Sequence, residues 1–145
     1  MGATNFERYA FGKTIQEAYN EAREAAEYAT GIVDGTSGDL NSKPGFMEVS
    51  IPKGISATKY QRWIETVDEA QNGYGATPKQ KEKLLGSIPA QYRDRVINYA
   101  KYYTDTGARA LAMKLKGKRA QEFRKGAGYT GKKGEVYLFF GWARV

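Results

Sequence analysis

The 145-residue chain contains no cysteine and no histidine. Without cysteine it can form no disulfide, no thiolate nucleophile and no zinc–sulfur site. Without histidine it lacks the commonest general base and the commonest transition-metal ligand. Any catalysis would fall to Asp, Glu, Lys, Tyr or Ser, and any metal site would be an oxygen-only Mg²⁺ or Ca²⁺ site. No apolar run approaches the roughly 18 residues of a membrane span. The N-terminus lacks the charged-then-apolar pattern of a signal segment. It opens Met1-Gly2, but Phe6 stands where a myristoylation signal has Ser or Thr. There is no internal repeat, low-complexity tract or linker, so residues 1–145 read as one domain.

Charge is abundant and unevenly placed. The formal net charge is +7. Residues 1–106 hold 13 Lys/Arg against 14 Asp/Glu, whereas residues 107–145 hold 10 against 2. All the excess positive charge therefore lies in the last 39 residues. A one-sided field of this kind attracts nucleic acid, nucleotides or an acidic protein face.

Local signals mark most elements. Asn5 to Phe11 reads as a strand. Thr14 and Glu17 then form a capping box at the head of a helix. Ile15, Ala18, Tyr19, Ala22, Ala25, Ala26 and Ala29 fall on one arc of it, Glu17, Glu21, Glu24 and Glu27 lie opposite, and Gly31 stops it. Asp39–Ser42 and Phe46–Ile51 are expected to pair as a hairpin across Lys43-Pro44-Gly45. Ser56 caps a second helix carrying Tyr60, Trp63, Ile64 and Val67, ended by Asn72-Gly73. Thr77-Pro78 starts a short helix, and Pro89 a longer one with Tyr92, Val96, Tyr99, Ala100 and Tyr103 at helical spacing. That stripe is read as core, the other reading being a base-stacking platform. After the break at Gly107, Leu111, Met113 and Leu115 alternate with Ala110, Ala112, Lys114 and Lys116, as in a half-buried strand. Val136–Trp142 is apolar on both faces, as in a central strand. These elements predict an α+β domain: an antiparallel sheet of four to five strands with three to four helices packed mainly on one face.

Three motifs invite a chemical reading. Gly126–Gly134, GAGYTGKKG, nearly spells a phosphate-binding P-loop, but Lys133 replaces the metal-binding hydroxyl. A helix-like segment precedes this loop and a strand follows it, the reverse of the required order. Gly12-Lys13-Thr14 lies between a strand and a helix, yet Glu7 stands where the motif's first glycine belongs, so a tight turn is expected. Asp34–Asp39 tempts a calcium reading but lacks the later glutamate, so it too is read as a turn. Glu122 among Arg119, Arg124 and Lys125 is read as a helix salt bridge rather than a catalytic base. No catalytic residue, metal or cofactor is expected. The glycine loop instead joins a cationic set: Lys114, Lys116, Lys118, Arg119, Arg124, Lys125, Lys132 and Lys133, with Tyr129 as an aromatic among them. Cations interleaved with an aromatic are the combination that neutralises phosphates and stacks a base. The alternative is a solvated basic surface.

The two ends of the chain carry a resemblance. Met1-Gly2-Ala3, Phe6, Gly12-Lys13-Thr14, Glu17-Ala18, Ala22, Ala26, Tyr28 and Gly31 resemble the start of small proteins encoded in bacteriophages, prophages and mobile elements. Tyr137-Leu138-Phe139-Phe140-Gly141-Trp142-Ala143 resembles their last strand. Residues 53–134, which include the basic segment within 107–134, depart from the shorter members. The matched residues read as scaffold, so the resemblance implies an origin and no site. By class it implies an accessory protein of the host cytoplasm that acts on host machinery, including antiviral defence. The resulting expectation is a non-enzymatic protein whose basic C-terminal third engages nucleic acid or a host nucleoprotein. The alternatives are a sponge for a nucleotide signal molecule, and a protein–protein inhibitor or virion component. The oligomeric state is left open.

Overall fold

The computed structural model describes residues 2–31, 35–73 and 75–145. Met1 and Asp34, which entered the readings above, lie outside them. Four strands form one mixed sheet in the order β1-β4-β3-β2: β1 Ala3–Gly12, β2 Phe46–Glu48, β3 Ala110–Leu115 and β4 Glu135–Arg144. The helices are α1 Ile15–Thr30, α2 Ala57–Asn72, α3 Pro78–Gly86, α4 Ala90–Thr104 and α5 Lys118–Ala127. The class is α+β, with one more helix than expected and one parallel strand pair.

β4 is central, as its two apolar faces require. It pairs antiparallel with β1 from Ala3↔Arg144 to Gly12↔Glu135, and antiparallel with β3 from Leu111↔Phe140 to Leu115↔Val136. β2 runs parallel to β3. Hence β1, β2 and β3 all point the same way and only β4 opposes them. Each of the three ends at the same edge of the sheet, and each leads into a helix there: β1 into α1, β2 into α2, β3 into α5.

The expected hairpin over Asp39–Ser42 and Phe46–Ile51 does not form. Leu40–Ser42 is a 3-10 turn, because the Asp39 side chain accepts from Leu40 N at 2.7 Å and Ser42 Oγ donates back to Asp39 O. The same carboxylate receives a forked bond from Arg8 of β1, Nε at 3.1 Å and Nη2 at 2.6 Å. That pair draws residues 39–42 to β1, away from Phe46. The second half of the hairpin survives only as the three-residue β2.

The helices pack mainly on one sheet face, as expected, with α2, α3, α4 and α5 on that side and α1 alone on the other. α1 packs its small residues Ala18, Ala22 and Ala26, with Tyr19, on Phe6, Ala10, Ala110, Ala112, Tyr137 and Phe139. Gly12 permits its close approach: a Cβ there would meet Ala18 N at 2.6 Å. The buried stripe of α1 is narrower than the apolar arc, and Ala25 and Ala29 are exposed. The opposite sheet face carries Phe11, Leu111, Met113, Leu115, Val136, Leu138 and Phe140 under α2 and α4. β3 is therefore covered on both sides rather than half-buried, because its small alternate residues Ala110 and Ala112 also find a helix. The aromatic stripe of α4 is core: Val96, Ala100 and Tyr103 are buried, Tyr92 stacks on Trp63, and Tyr99 Oη accepts from Ser50 N. Thr14, Ser56 and Thr77 each cap their helix through the side chain, as their sequence contexts require. No helix among the described residues is long and apolar enough to cross a membrane.

Candidate functional site

The strand register gathers the basic residues at one end of the sheet. Leu115 opposite Val136 and Gly12 opposite Glu135 bring Lys116, Lys13 and the Lys132-Lys133 turn to the same edge. β2 ends there too, and the segment after it folds over the end of β3. The result is a cleft of about 810 Å³ lined by Lys53, Lys114 and Lys116, by the start of α2 at Ser56-Ala57, and by Gly117. Glu48 is the one carboxylate among its lining residues. Lys53 is exposed and Lys114 half-buried.

Two helices begin at this cleft, and their first turns differ. At α2 the Ser56 side chain accepts from Lys59 N at 3.1 Å. At α5 the preceding residue is Gly117, with φ 73°, and no side chain caps the helix. The first intrahelical bond there runs from Gln121 N to Gly117 O. The N–H groups of Lys118, Arg119 and Ala120 precede it and carry the positive end of the helix dipole. Such an end beside lysines presents directed donors and a favourable field to an oxyanion.

The nine residues singled out from the sequence divide into two groups. Lys116, Lys118, Lys125, Lys132 and Lys133 are exposed and Lys114 is half-buried. Lys118 stands 4.0 Å from Glu122 across an exposed helical turn, a contact of little strength in water. Glu122 is thus the salt-bridge partner the sequence suggested. Arg119, Arg124 and Tyr129 instead bond within the fold. Arg119 donates from Nε and Nη2 to Tyr9 Oη at 2.9 and 2.7 Å, and from Nη1 to Gln61 Oε1 and Thr58 Oγ1. Its guanidinium lies over the Tyr9 ring, 5.3 Å from the centroid. Arg124 donates to Lys132 O and Gly134 O, which fastens α5 to the glycine turn, and stacks on Phe11. Tyr129 lies on Phe11 with centroids 4.4 Å apart, Lys132 Nζ stands 5.8 Å from its ring, and its hydroxyl donates to Glu21 Oε1 at 2.6 Å. That bond raises the Tyr129 phenol above its ordinary range. The glycine loop is thus pinned to the acidic face of α1.

A second constellation escaped the sequence reading. Between β1 and α2 lies a cavity of about 560 Å³ bordered by Asn5, Glu7, Gln61, Arg62, Glu65, Tyr103 and Arg119. Gln61, 5% exposed, donates from Nε2 to Glu7 Oε2 at 2.6 Å and to Glu65 Oε2 at 3.4 Å. Burial, then the nearby Glu7 charge, push the Glu65 carboxyl above the usual range, against the pull of Gln61, Arg119 and Arg62. Burial pushes the Tyr103 phenol up to about 12. The available signals were polar residues at apolar positions: Glu7 between Asn5 and Tyr9 on one strand face, and Gln61 beside Tyr60 and Ile64 on the buried side of α2. Lys53 gave no signal, since it belongs to the charge-balanced part of the chain. No family model, curated protein or solved structure matches the chain.

Proposed function

We propose that this is a non-enzymatic, phage-type accessory protein that binds nucleic acid, or a host nucleoprotein through its nucleic acid, and so counters host antiviral defence in the host cytoplasm. The contact surface is the sheet end built from Lys114, Lys116, Lys118, Lys132 and Lys133, extended by Lys53 and flanked by Lys125. One observation carries the reading: Lys53, Lys114 and Lys116 converge with the uncapped start of α5 on a single cleft. Three strands deliver their carboxyl ends to this edge, the position where open sheets with parallel strands receive ligands. Arg119, Arg124 and Tyr129 support the surface from behind and do not reach the phosphates.

Six lysines neutralising six phosphates give a log–log salt slope of about −5 for duplex DNA. Fluorescence anisotropy with short DNA and RNA at several salt concentrations measures it. Lys116→Glu combined with Lys132→Glu is expected to flatten the slope by about two. An absence of binding at low salt rejects the proposal. The concavity of the cleft favours a second reading, capture of a nucleotide signal. A cavity of about 810 Å³ matches a small ligand. Thermal-shift screening with cyclic and linear nucleotides separates the two, because a large shift that survives moderate salt belongs to a small ligand.

A further inference from the structure

β1 is an edge strand of 10 residues with an unpaired outer side. We propose that this edge docks a second copy of the chain. The two β1 strands pair antiparallel about a two-fold axis at Phe6 and join both sheets into one.

The hydrogen bonds of the rest of the sheet fix which backbone groups face outward. Ala110 N donates to Gly45 O, and Val49 N to Ala112 O, so these even residues of β3 face β2. The odd ones, Leu111, Met113 and Leu115, then face β4, where their partners are Phe140, Leu138 and Val136. The odd residues of β4 therefore bond to β1, and Val145 N, donating to Gly2 O, continues that ladder. Their partners on β1 are Thr4, Phe6, Arg8 and Ala10. The N–H and C=O groups of Ala3, Asn5, Glu7, Tyr9 and Phe11 point the other way. Among the described residues none of these groups meets a backbone partner, and Asn5 O alone receives a side-chain bond, from Thr4 Oγ1 at 3.4 Å.

Edge strands are ordinarily blunted by shortness, lysine, proline or a bulge. The opposite edge follows that rule, since β2 has only 3 residues. β1 contains no lysine and no proline, and its register with β4 is unbroken from Ala3 to Gly12. Its first half is open, with Ala3, Thr4, Asn5 and Glu7 exposed. Its far end is closed, because Tyr129 and Arg124 stack on Phe11. The accessible ladder spans residues 3–9.

Length and charge select both the partner and the register. An axis at Phe6 pairs residues 3–9 with themselves in full. Asn5 then stands opposite Glu7 of the second copy, Ala3 opposite its Tyr9, and Thr4 opposite its Arg8. The Asn5–Glu7 and Ala3–Tyr9 pairs join outward-facing residues, so each exchanges backbone bonds in both directions. An axis at Glu7 or Arg8 would set like charges directly opposite each other, which destabilises a strand pair. An axis at Asn5 would pair only residues 3–7. At Phe6 every charge faces an uncharged residue, and the two Phe6 side chains meet on the α1 side as a cross-strand aromatic pair. This match of the strand to itself singles out a second copy as the occupant.

The pairing has a geometric consequence for the lysine surface. Gly12, at the lysine-bearing end, stands about 20 Å beyond Phe6 along the strand. The two lysine surfaces of the pair therefore lie at opposite edges of the joined sheet, on the order of 40 Å apart, and hold two separate nucleic-acid segments. That consequence rests on the function proposed above, whereas the strand pairing does not.

The test is sedimentation velocity on the full chain without nucleic acid, from low micromolar to several hundred micromolar. The expected mass rises with concentration from 16.1 kDa toward twice that value. A strand pair of this size falls short of the ~1,200 Å² of a standard interface, so a micromolar midpoint is expected. Asn5→Pro removes an outward N–H and no bond of the chain's own sheet, at a position where an edge strand tolerates proline. It should weaken association about tenfold or more. Should that variant fold poorly by circular dichroism, hydrogen exchange of the wild type decides. The Asn5 and Glu7 amides must slow as concentration rises, while those of Phe6 and Arg8, already bonded to β4, change little. The register can be read by oxidation, because the chain has no cysteine of its own. Asn5→Cys mixed with Glu7→Cys should crosslink faster than either variant alone, since paired Cα atoms about 5.5 Å apart lie within disulfide reach. A monomer at every concentration overturns the proposal and leaves the edge to an extended segment of a different protein. A folded Asn5→Pro variant that associates as tightly as wild type overturns it too. So does a dimer whose Asn5 and Glu7 amides exchange no slower, or a single cysteine variant that crosslinks as fast as the mixture.

Discussion

Replacing Arg119 tests which cations of the basic third face outward. Its guanidinium makes four hydrogen bonds, to Tyr9, Gln61 and Thr58, and its side chain is 25% exposed. Hydrogen bonds involving a charged group contribute about 1.5–3 kcal/mol each in good, dry geometry. Partial exposure reduces this, because water replaces the lost partner at Thr58. The two bonds to Tyr9 also share one acceptor. Arg119→Met keeps the aliphatic stem over Tyr9 but leaves Gln61 Oε1 and Tyr9 Oη without their donor, for a net loss of about 3 kcal/mol. At ~2–4 °C per kcal/mol for a chain of this size, the melting temperature falls by about 10 °C. Arg119→Lys, which retains one or two of the bonds, should lose about half as much. Urea unfolding followed by circular dichroism gives the stability. The salt slope of nucleic-acid binding, measured on the same samples below their melting point, should not move. An unaltered unfolding midpoint together with a slope flattened by about one would mean that Arg119 touches phosphate, and the division of the cations drawn above would be wrong.

Two further outcomes follow from particular contacts. Lys43 is 3% exposed, and its Nζ donates to the carbonyls of Trp142, Asp105 and Thr106 at 2.7, 2.9 and 3.2 Å. Burial pushes its ammonium down to about 8, with Asp105 pulling the other way. A folded-state value below the unfolded one means that the unfolded chain holds the extra proton between about pH 8 and the ordinary lysine range, so this group adds stability as pH rises through that window. Lys43→Met should destabilise by about 2 kcal/mol near neutral pH, through carbonyls that lose their donor, and the gap to wild type should widen from pH 8 to 10. Unfolding curves across that range would contradict the assignment if the gap narrowed. Gly134 has φ 144°, and a Cβ there would meet Phe11 Cζ at 2.6 Å and Gly12 O at 2.9 Å. Gly134→Ala is expected to cost about 2–3 kcal/mol through overpacking and backbone strain, and a variant as stable as wild type would show that the turn relaxes freely.

What the sequence made legible was local. Thr14, Ser56 and Thr77-Pro78 announced helix starts because a cap is satisfied within four residues. Val136–Phe140 announced a central strand because both of its faces are apolar. The hairpin failed because Pro44-Gly45 supplies credible turn chemistry, while the residue that decides the matter, Arg8, lies 31 positions before its partner Asp39. The basic third was legible as charge, and the sorting of that charge was not. Arg119 and Lys118 are neighbours in sequence, yet one bonds to Tyr9, 110 positions away, and the other points into water. The Glu7–Gln61–Glu65 group left only single polar residues at apolar positions and nothing that linked them, because strand and helix positions meet there only through the tertiary fold.

The strand order has a kinetic consequence. β4 lies between β1 and β3 and leaves the ribosome after both of them. Until it is made, β1 has no partner in the sheet, and its pairing with β4 joins residues as far apart as Ala3 and Arg144. Such long-range closure is slow, and it leaves strand edges and apolar faces open meanwhile. Nascent chains stalled before Glu135 should therefore hold helices without a finished core. They would be the species on which chaperones and proteases act.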